Sequence, residues 1–309
     1  MASAPPRKSL VFAALITVQI LFGINYAVSK AVVGHFPPLV WASLRLIVSS
    51  LIMLLFAFLS RRKHPELKAS FFVPLIGLAL LGTIINQASF LVGLRYTTST
   101  NSAILNTLIP IFTLLVVTLR GLEPLTRNKF FGFIFAFAGV MVIRKVENFS
   151  LSDQTVMGDL LTILNCFSYA LFLSYGRKFI QSHDPIWTTT WLFIYGSIGL
   201  TILALPSYQT FTWPAVDFEL GWQMAFAILG ATFLTYFLNF WALAHAKASH
   251  VAIFIYLQPI VASALAWAWW GESVTPRTVG ACALIFVGVL VTLIPVQKKT
   301  KSLAKEFAA

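Results

Sequence analysis

The chain has 309 residues, 58% of them hydrophobic and only 10% charged, and a formal net charge of +12. Soluble domains carry roughly a quarter charged residues, so this composition excludes an ordinary water-soluble globule. The basic excess would suit nucleic acid, but it suits equally the short loops that orient a membrane protein, and its placement along the chain favours the loops.

Crossing about 30 Å of hydrocarbon takes roughly 20 apolar helical residues at 1.5 Å each. Ten such runs are predicted, at 10–33, 39–59, 71–94, 99–119, 129–143, 158–179, 186–205, 220–243, 249–270 and 278–295, the fifth being short. The first follows Arg7 and Lys8 as a secretory signal would. Its apolar stretch outruns a signal's core and no small-residue cleavage site follows, so it is expected to be retained. It carries Asn25 at mid-depth and ends near Lys30. The second holds Arg45, roughly 10 Å inside its end. The third carries Asn86 and Gln87, the fourth Asn106 and Pro110, the sixth Asn165 and Tyr169. Tyr236 and Asn239 lie in the eighth, and Tyr256, Gln258 and Pro259 in the ninth. Cys166 and Cys282 fall inside runs, which reads as packing rather than a disulfide framework. Trp187, Trp191, Trp213, Trp222, Trp269 and Trp270 lie near run ends, where an interfacial belt is expected.

With the N-terminus inside, sixteen of the 22 Lys and Arg residues fall on one side, five on the other, and Arg45 within a span. Both tails, 1–9 and 296–309, are therefore expected in the cytoplasm, as an even span count requires. Sliding the chain by 149 positions superimposes 93–143 on 242–292 without a gap. Pro110 then meets Pro259, Glu123 meets Glu272, Thr126 meets Thr275 and Gly139 meets Gly288. A shift of 147 pairs Lys30 with Arg177 and Pro38 with Pro185. The expected fold is an all-α integral membrane protein of ten transmembrane helices, in two inverted repeats of five at 10–143 and 158–295.

The order and spacing of several short motifs on these halves resemble the EamA-type branch of the drug/metabolite transporter superfamily. They are Phe22-Gly23-Ile24-Asn25-Tyr26-Ala27-Val28-Ser29-Lys30, Pro37-Pro38 followed by Arg45, and Gly271-Glu272-Ser273-Val274-Thr275 followed by Gly280 and Gly288. Phe22 stands where that family often has Trp. The resemblance implies a carrier of small metabolites, typically amino acids or related compounds, with a cavity formed mainly by the first four spans of each half.

A polar side chain at mid-depth is costly in lipid, so Asn25, Asn86, Gln87, Asn106, Asn165, Asn239 and Gln258 are expected to face a bundle interior or a watery cavity. There they either bond helix to helix or hold a solute. Tyr169, Tyr236 and Tyr256 interleave with them and suit a neutral, zwitterionic or aromatic solute, or simply pack. A mid-span proline frees the carbonyl four residues earlier, here Asn106 or Ile255, and Pro110 and Pro259 therefore mark a kink that binds ligand, gates or only shapes packing. Arg45 either meets a substrate carboxylate or, as the resemblance favours, serves structurally by snorkelling or holding helix-end carbonyls. Lys30 is either a partner for an anionic substrate or an anchor.

Glu123 and Glu272 sit between spans, where capping and loop pairing are expected. Apart from Asp159 at the edge of the sixth span, no Asp or Glu lies inside a span, which argues against a proton-coupled exporter of cationic drugs. The five histidines lie in loops or at span ends, and no His-Glu-x-x-His pattern occurs, so no enzyme, metal or cofactor is expected. The expected function is secondary transport by alternating access in a bacterial inner (plasma) membrane, with export as the direction. The expected partners are the lipid bilayer and a small-molecule substrate, not nucleic acid, and monomer and homodimer both stay open. A passive channel, a non-transporting scaffold, or a multidrug or nucleotide-sugar-type carrier are the alternatives.

Overall fold

A computed structural model describes residues 6–61, 64–65, 68–97, 99–143, 156–261, 264 and 275–294. Among them the chain is helical throughout its regular structure, with no strand. Gly271, Glu272, Ser273 and Val274, Trp269 and Trp270, and the tail segments 1–5 and 295–309 lie outside the described residues.

Helix α1 spans Lys8–His35, and α2, Pro38–Leu59, opens on a proline whose fixed φ and missing N–H suit the first helical position. Helices α3 (Ala69–Ala79) and α4 (Asn86–Tyr96) are joined through a π-helical stretch, Leu80–Ile85, into one rod. Helices α5 (Ser99–Leu105) and α6 (Leu108–Leu119) flank a turn at Asn106 and Thr107, and α7 is Arg127–Ile143. After α8 (Val156–Ser182), α9 (Pro185–Tyr208) again starts on proline, with the Asp184 carboxylate accepting from the N–H groups of Ile186 (2.9 Å) and Trp187 (3.1 Å). Helices α10 (Phe218–Ala225) and α11 (Thr235–His245) form a second rod through a π-helical Phe226–Leu234. Helix α12 (Ala248–Ile253) tightens into a 3₁₀ turn at Phe254–Leu257, and α13 is Pro276–Leu293.

Among the described residues, seven helical segments are long and apolar enough to cross a membrane, while Ala248–Val261 and Val279–Leu293 are shorter apolar helices. Their outward faces carry exposed Leu51, Leu55 and Phe58 on α2 and Ile198 and Ile202 on α9, a surface suited to lipid rather than water. Trp213 and Trp222 are exposed, but Trp187 is 2% exposed, packed edge-on to Phe58 and His64, so it belongs to the interior rather than a belt.

Two kinds of contact set how the rods meet. Helices α7 and α13 approach backbone to backbone: a Cβ on Gly139 would lie 2.7 Å from the Ala281 carbonyl oxygen, and one on Gly288 would lie 2.5 Å from that of Gly132. Basic side chains hold helix ends. Lys30 Nζ donates to the carbonyls of Leu94 (2.5 Å), in the last turn of α4, and Thr97 (2.9 Å), just past it, and Arg177 Nε donates to that of Ala246 (2.7 Å) past α11.

Glu123, between α6 and α7, is 3% exposed. Its carboxylate accepts from Lys129 Nζ at 2.6 Å, from the Ser249 hydroxyl and from the Ser249 backbone N–H at 3.3 Å, which ties that connection to the start of α12. Burial pushes the carboxyl up, but the hydrogen bonds from Lys129 and Ser249 and the Lys129 charge outweigh it and hold the group below its ordinary 4.5. Because the folded value is the lower one, the stabilisation is full above the ordinary value and drains away as pH falls through the folded value. Glu123→Gln leaves Lys129 buried without its charge partner and is expected to lower stability at neutral pH by about 3 kcal/mol. Thermal unfolding in detergent checks this: the gap to wild type should narrow in acid, and equal midpoints at neutral pH would refute the assignment.

Candidate functional site

A cavity of about 80 Å³ opens between the rods, lined from several helices. Helix α1 supplies Gln19, Phe22, Asn25 and Tyr26, whose spacing places them on one face. Arg45 comes from α2, and Asn86, Gln87 and Phe90 from α4. Asn106 comes from the turn before α6, and Asn165, Tyr169 and Leu173 at i, i+4 and i+8 from α8. Ala231, Tyr236 and Asn239 line it from the second rod, and Val251, Ile255 and Gln258 from the segment around the 3₁₀ turn.

The polar groups are linked. Arg45 Nη2 donates to Gln87 Oε1, Gln87 Nε2 donates to the Tyr236 hydroxyl, and that hydroxyl donates to Asn86 Oδ1 at 3.2 Å. Asn86 Nδ2 then donates to Asn165 Oδ1 (2.5 Å), Asn165 Nδ2 to Asn106 Oδ1 (2.8 Å), and Asn106 Nδ2 to the Ser102 carbonyl (2.8 Å). This chain runs across α2, α4, α11 and α8 to the α5–α6 turn, so a displacement of one rod is felt by the others. A separate set joins α1 to the far side: Tyr26 donates to Gln258 Oε1 (3.1 Å), and Gln258 Nε2 donates to Gln19 Oε1 (2.7 Å). Asn239 donates to the Tyr169 hydroxyl. Phe22 packs edge-on to Tyr236 and Phe90 to Tyr26, which makes part of the wall aromatic.

The structure thus brings together Asn25, Asn86, Gln87, Asn106, Asn165, Tyr169, Tyr236, Asn239, Gln258 and Arg45 from the sequence reading. Tyr256 lies elsewhere: fully buried, its ring is edge-on to Phe133 of α7, because the tighter 3₁₀ winding turns Ile255 to the cavity instead. Lys30 is occupied with the carbonyls at the end of α4 and is not part of the lining. Pro110 and Pro259 stand just beyond the two helix irregularities rather than in the wall. The Asn106 carbonyl, freed by Pro110, accepts instead from the Ile109 N–H at 3.1 Å. Gln19, Phe22, Tyr26 and Phe90 were not singled out from the sequence as cavity residues. The signal for three of them was the one-face spacing of positions 19, 22 and 26 around Asn25.

Comparisons place this arrangement among known proteins. The EamA-like transporter family matches residues 9–145 and, a second time, residues 156–294. The uncharacterized transporter YyaM of Bacillus subtilis is 25% identical over 287 residues, 91% of this chain and 92% of its own length. An uncharacterized transporter of Archaeoglobus fulgidus is 24% identical over 288 residues, 93% of this chain and 99% of its own. A WAT1-related protein of Arabidopsis thaliana is 24% identical over 314 residues, 93% of this chain and 82% of its own. A crystal structure sharing 14% identity matches with a TM-score of 0.75 over 98% of this chain and 100% of that one, so the two share a fold.

Proposed function

Because the chain belongs to the EamA-like transporter family, we propose that it is a secondary carrier exporting an amino acid or a related neutral or zwitterionic metabolite by alternating access. The carrier is read as ten spans in two inverted sets of five, at 10–143 and 158–295, with both termini on the cytoplasmic face of a bacterial inner membrane. An odd number of spans makes the second set enter from the opposite face. Exchanging the conformations of the two sets then moves the mouth of the cavity from one side to the other.

The observation that carries this reading is that each irregularity has a counterpart one repeat later. The π-helical Leu80–Ile85 answers to Phe226–Leu234, and the turn at Asn106 and Thr107 answers to the 3₁₀ turn at Phe254–Leu257. Lys30 on Thr97 answers to Arg177 on Ala246, and Gly139 against Ala281 answers to Gly288 against Gly132. All fall at offsets of 146 to 150, and the broken helices border the cavity. Such segments change winding at less cost than an unbroken helix, which suits hinges. At about 80 Å³ the cavity is smaller than the roughly 300–1,000 Å³ of a small-molecule site, so admitting a solute requires the rods to part.

Counterflow tests the reading. Proteoliposomes preloaded with unlabelled amino acids are expected to take up labelled amino acid faster than empty ones, since opposite-side stimulation requires a carrier. A channel would equilibrate solute without that stimulation, and its absence across amino acids, nucleobases and drugs would sink the proposal.

A further inference from the structure

The geometry points to Arg45 as the anchor for a carboxylate on the transported solute, an assignment that rests on the carrier reading above. Arg45 is 2% exposed, sits well inside α2 and lines the cavity. Its Nη2 is taken by Gln87, while Nη1 is buried with no hydrogen-bond partner. The described lining contains no Asp or Glu, and the Lys129–Glu123 ion pair lies in the α6–α7 region outside that lining.

An arginine inside a membrane ordinarily has one of three occupations: its head reaches the interface, it holds helix-end carbonyls, or it pairs with a protein acid. Burial removes the first. The second is performed here by Lys30 and Arg177, whereas Arg45 donates to the Gln87 side chain and, among the described residues, to no backbone carbonyl. The third has no candidate in the wall. What is left is a cation in the cavity lining with a buried donor that has no partner, an arrangement that is unfavourable until an anion arrives. A carboxylate supplies the charge and accepts from Nη1 in a charge-assisted bond. The rest of the wall is neutral amide, phenol, aromatic face and aliphatic side chain, which tolerates an ammonium or a neutral body but demands neither. The carboxylate is therefore obligatory, and the same solute as an amide or a decarboxylated amine leaves Nη1 unpaired.

The experiment uses purified full-length protein in proteoliposomes and three preloaded mixtures: the standard amino acids, their carboxamides, and the corresponding decarboxylated amines. Counterflow is expected with the acids at about a hundredfold or more above the other two, because a site built around a polar contact strongly rejects an analogue that lacks it. Arg45→Met should abolish acid counterflow and Arg45→Lys should retain part of it. Thermal unfolding separates an anchor from a structural arginine: the acids should stabilise the wild type but not Arg45→Met, and ligand-free Arg45→Met should unfold no lower than wild type, because it removes an uncompensated buried charge. Counterflow of amides or amines at the rate of the acids overturns the anchor while leaving the carrier intact, as does normal acid counterflow by Arg45→Met or a lower unfolding midpoint of that ligand-free variant. Counterflow with none of the mixtures overturns the carrier reading, and in that case absence of acid-dependent stabilisation overturns the anchor as well.

Discussion

Asn165→Leu is expected to reduce counterflow by about a hundredfold, if its two bonds are each worth roughly 1.4 kcal/mol to the working cavity. Asn165 is the middle of the amide chain: its Oδ1 accepts from Asn86 at 2.5 Å and its Nδ2 donates to Asn106 at 2.8 Å. Leucine keeps the volume but orphans the Asn86 donor on α4 and leaves Asn106 Oδ1 at the α5–α6 turn only the Cys166 thiol at 3.6 Å. The orphaned donor costs about 1–3 kcal/mol. More consequential for transport, the rod carrying the first π-helical stretch loses its polar link to the turn before Pro110. Leu164→Ala, one residue away on an exposed apolar face, is the control and should transport as wild type does. Wild-type rates in Asn165→Leu would show that the chain is scaffolding and not part of the transport machinery.

Gly288→Leu is expected to destabilise the protein by about 3 kcal/mol, at the upper end of overpacking effects. A Cβ there would stand 2.5 Å from both the Ala136 nitrogen and the Gly132 carbonyl oxygen, backbone atoms that yield only if α7 and α13 separate. Separation would also disturb Gly139 against Ala281 on the same seam. The variant should unfold at a markedly lower temperature in detergent, or elute as aggregate. Gly280→Leu is a stringent comparison, because it lies on the same helix and nothing stands within 4 Å of its Cβ. Equal midpoints for the two variants would mean that the seam does not hold the helices together.

The two glycines illustrate where sequence reading stops. Both belong to the same short motif, and only the repeat, which pairs Gly288 with Gly139 but Gly280 with Phe131, distinguishes them in sequence; the close contact itself is set by the crossing point of α7 on α13. The mid-depth amides were legible for a different reason. An amide in hydrocarbon has few permitted destinations, so Asn25, Asn86, Gln87, Asn106, Asn165, Asn239 and Gln258 could be grouped before any contact was known, and they do line one cavity. Tyr256 could not be separated from them, because its direction depends on whether the segment before Pro259 winds as an α-helix or as a 3₁₀ turn. The π-helical stretches were equally invisible. Both occur in uniformly apolar runs, where an extra residue per turn leaves no mark on the hydrophobic pattern.

By itself, then, the sequence determined the solvent, the helical class, the offset between the two halves and the kinds of side chain that must turn inward, because lipid forbids unpaired polar groups whatever the packing. Tertiary structure alone decided that Lys30 closes a helix end while Arg45, in the cavity lining, keeps a buried donor without a partner. Both are single cations near or within a span, and only the positions of neighbouring carbonyls and amides, set by how the rods cross, tell a satisfied charge from an unsatisfied one.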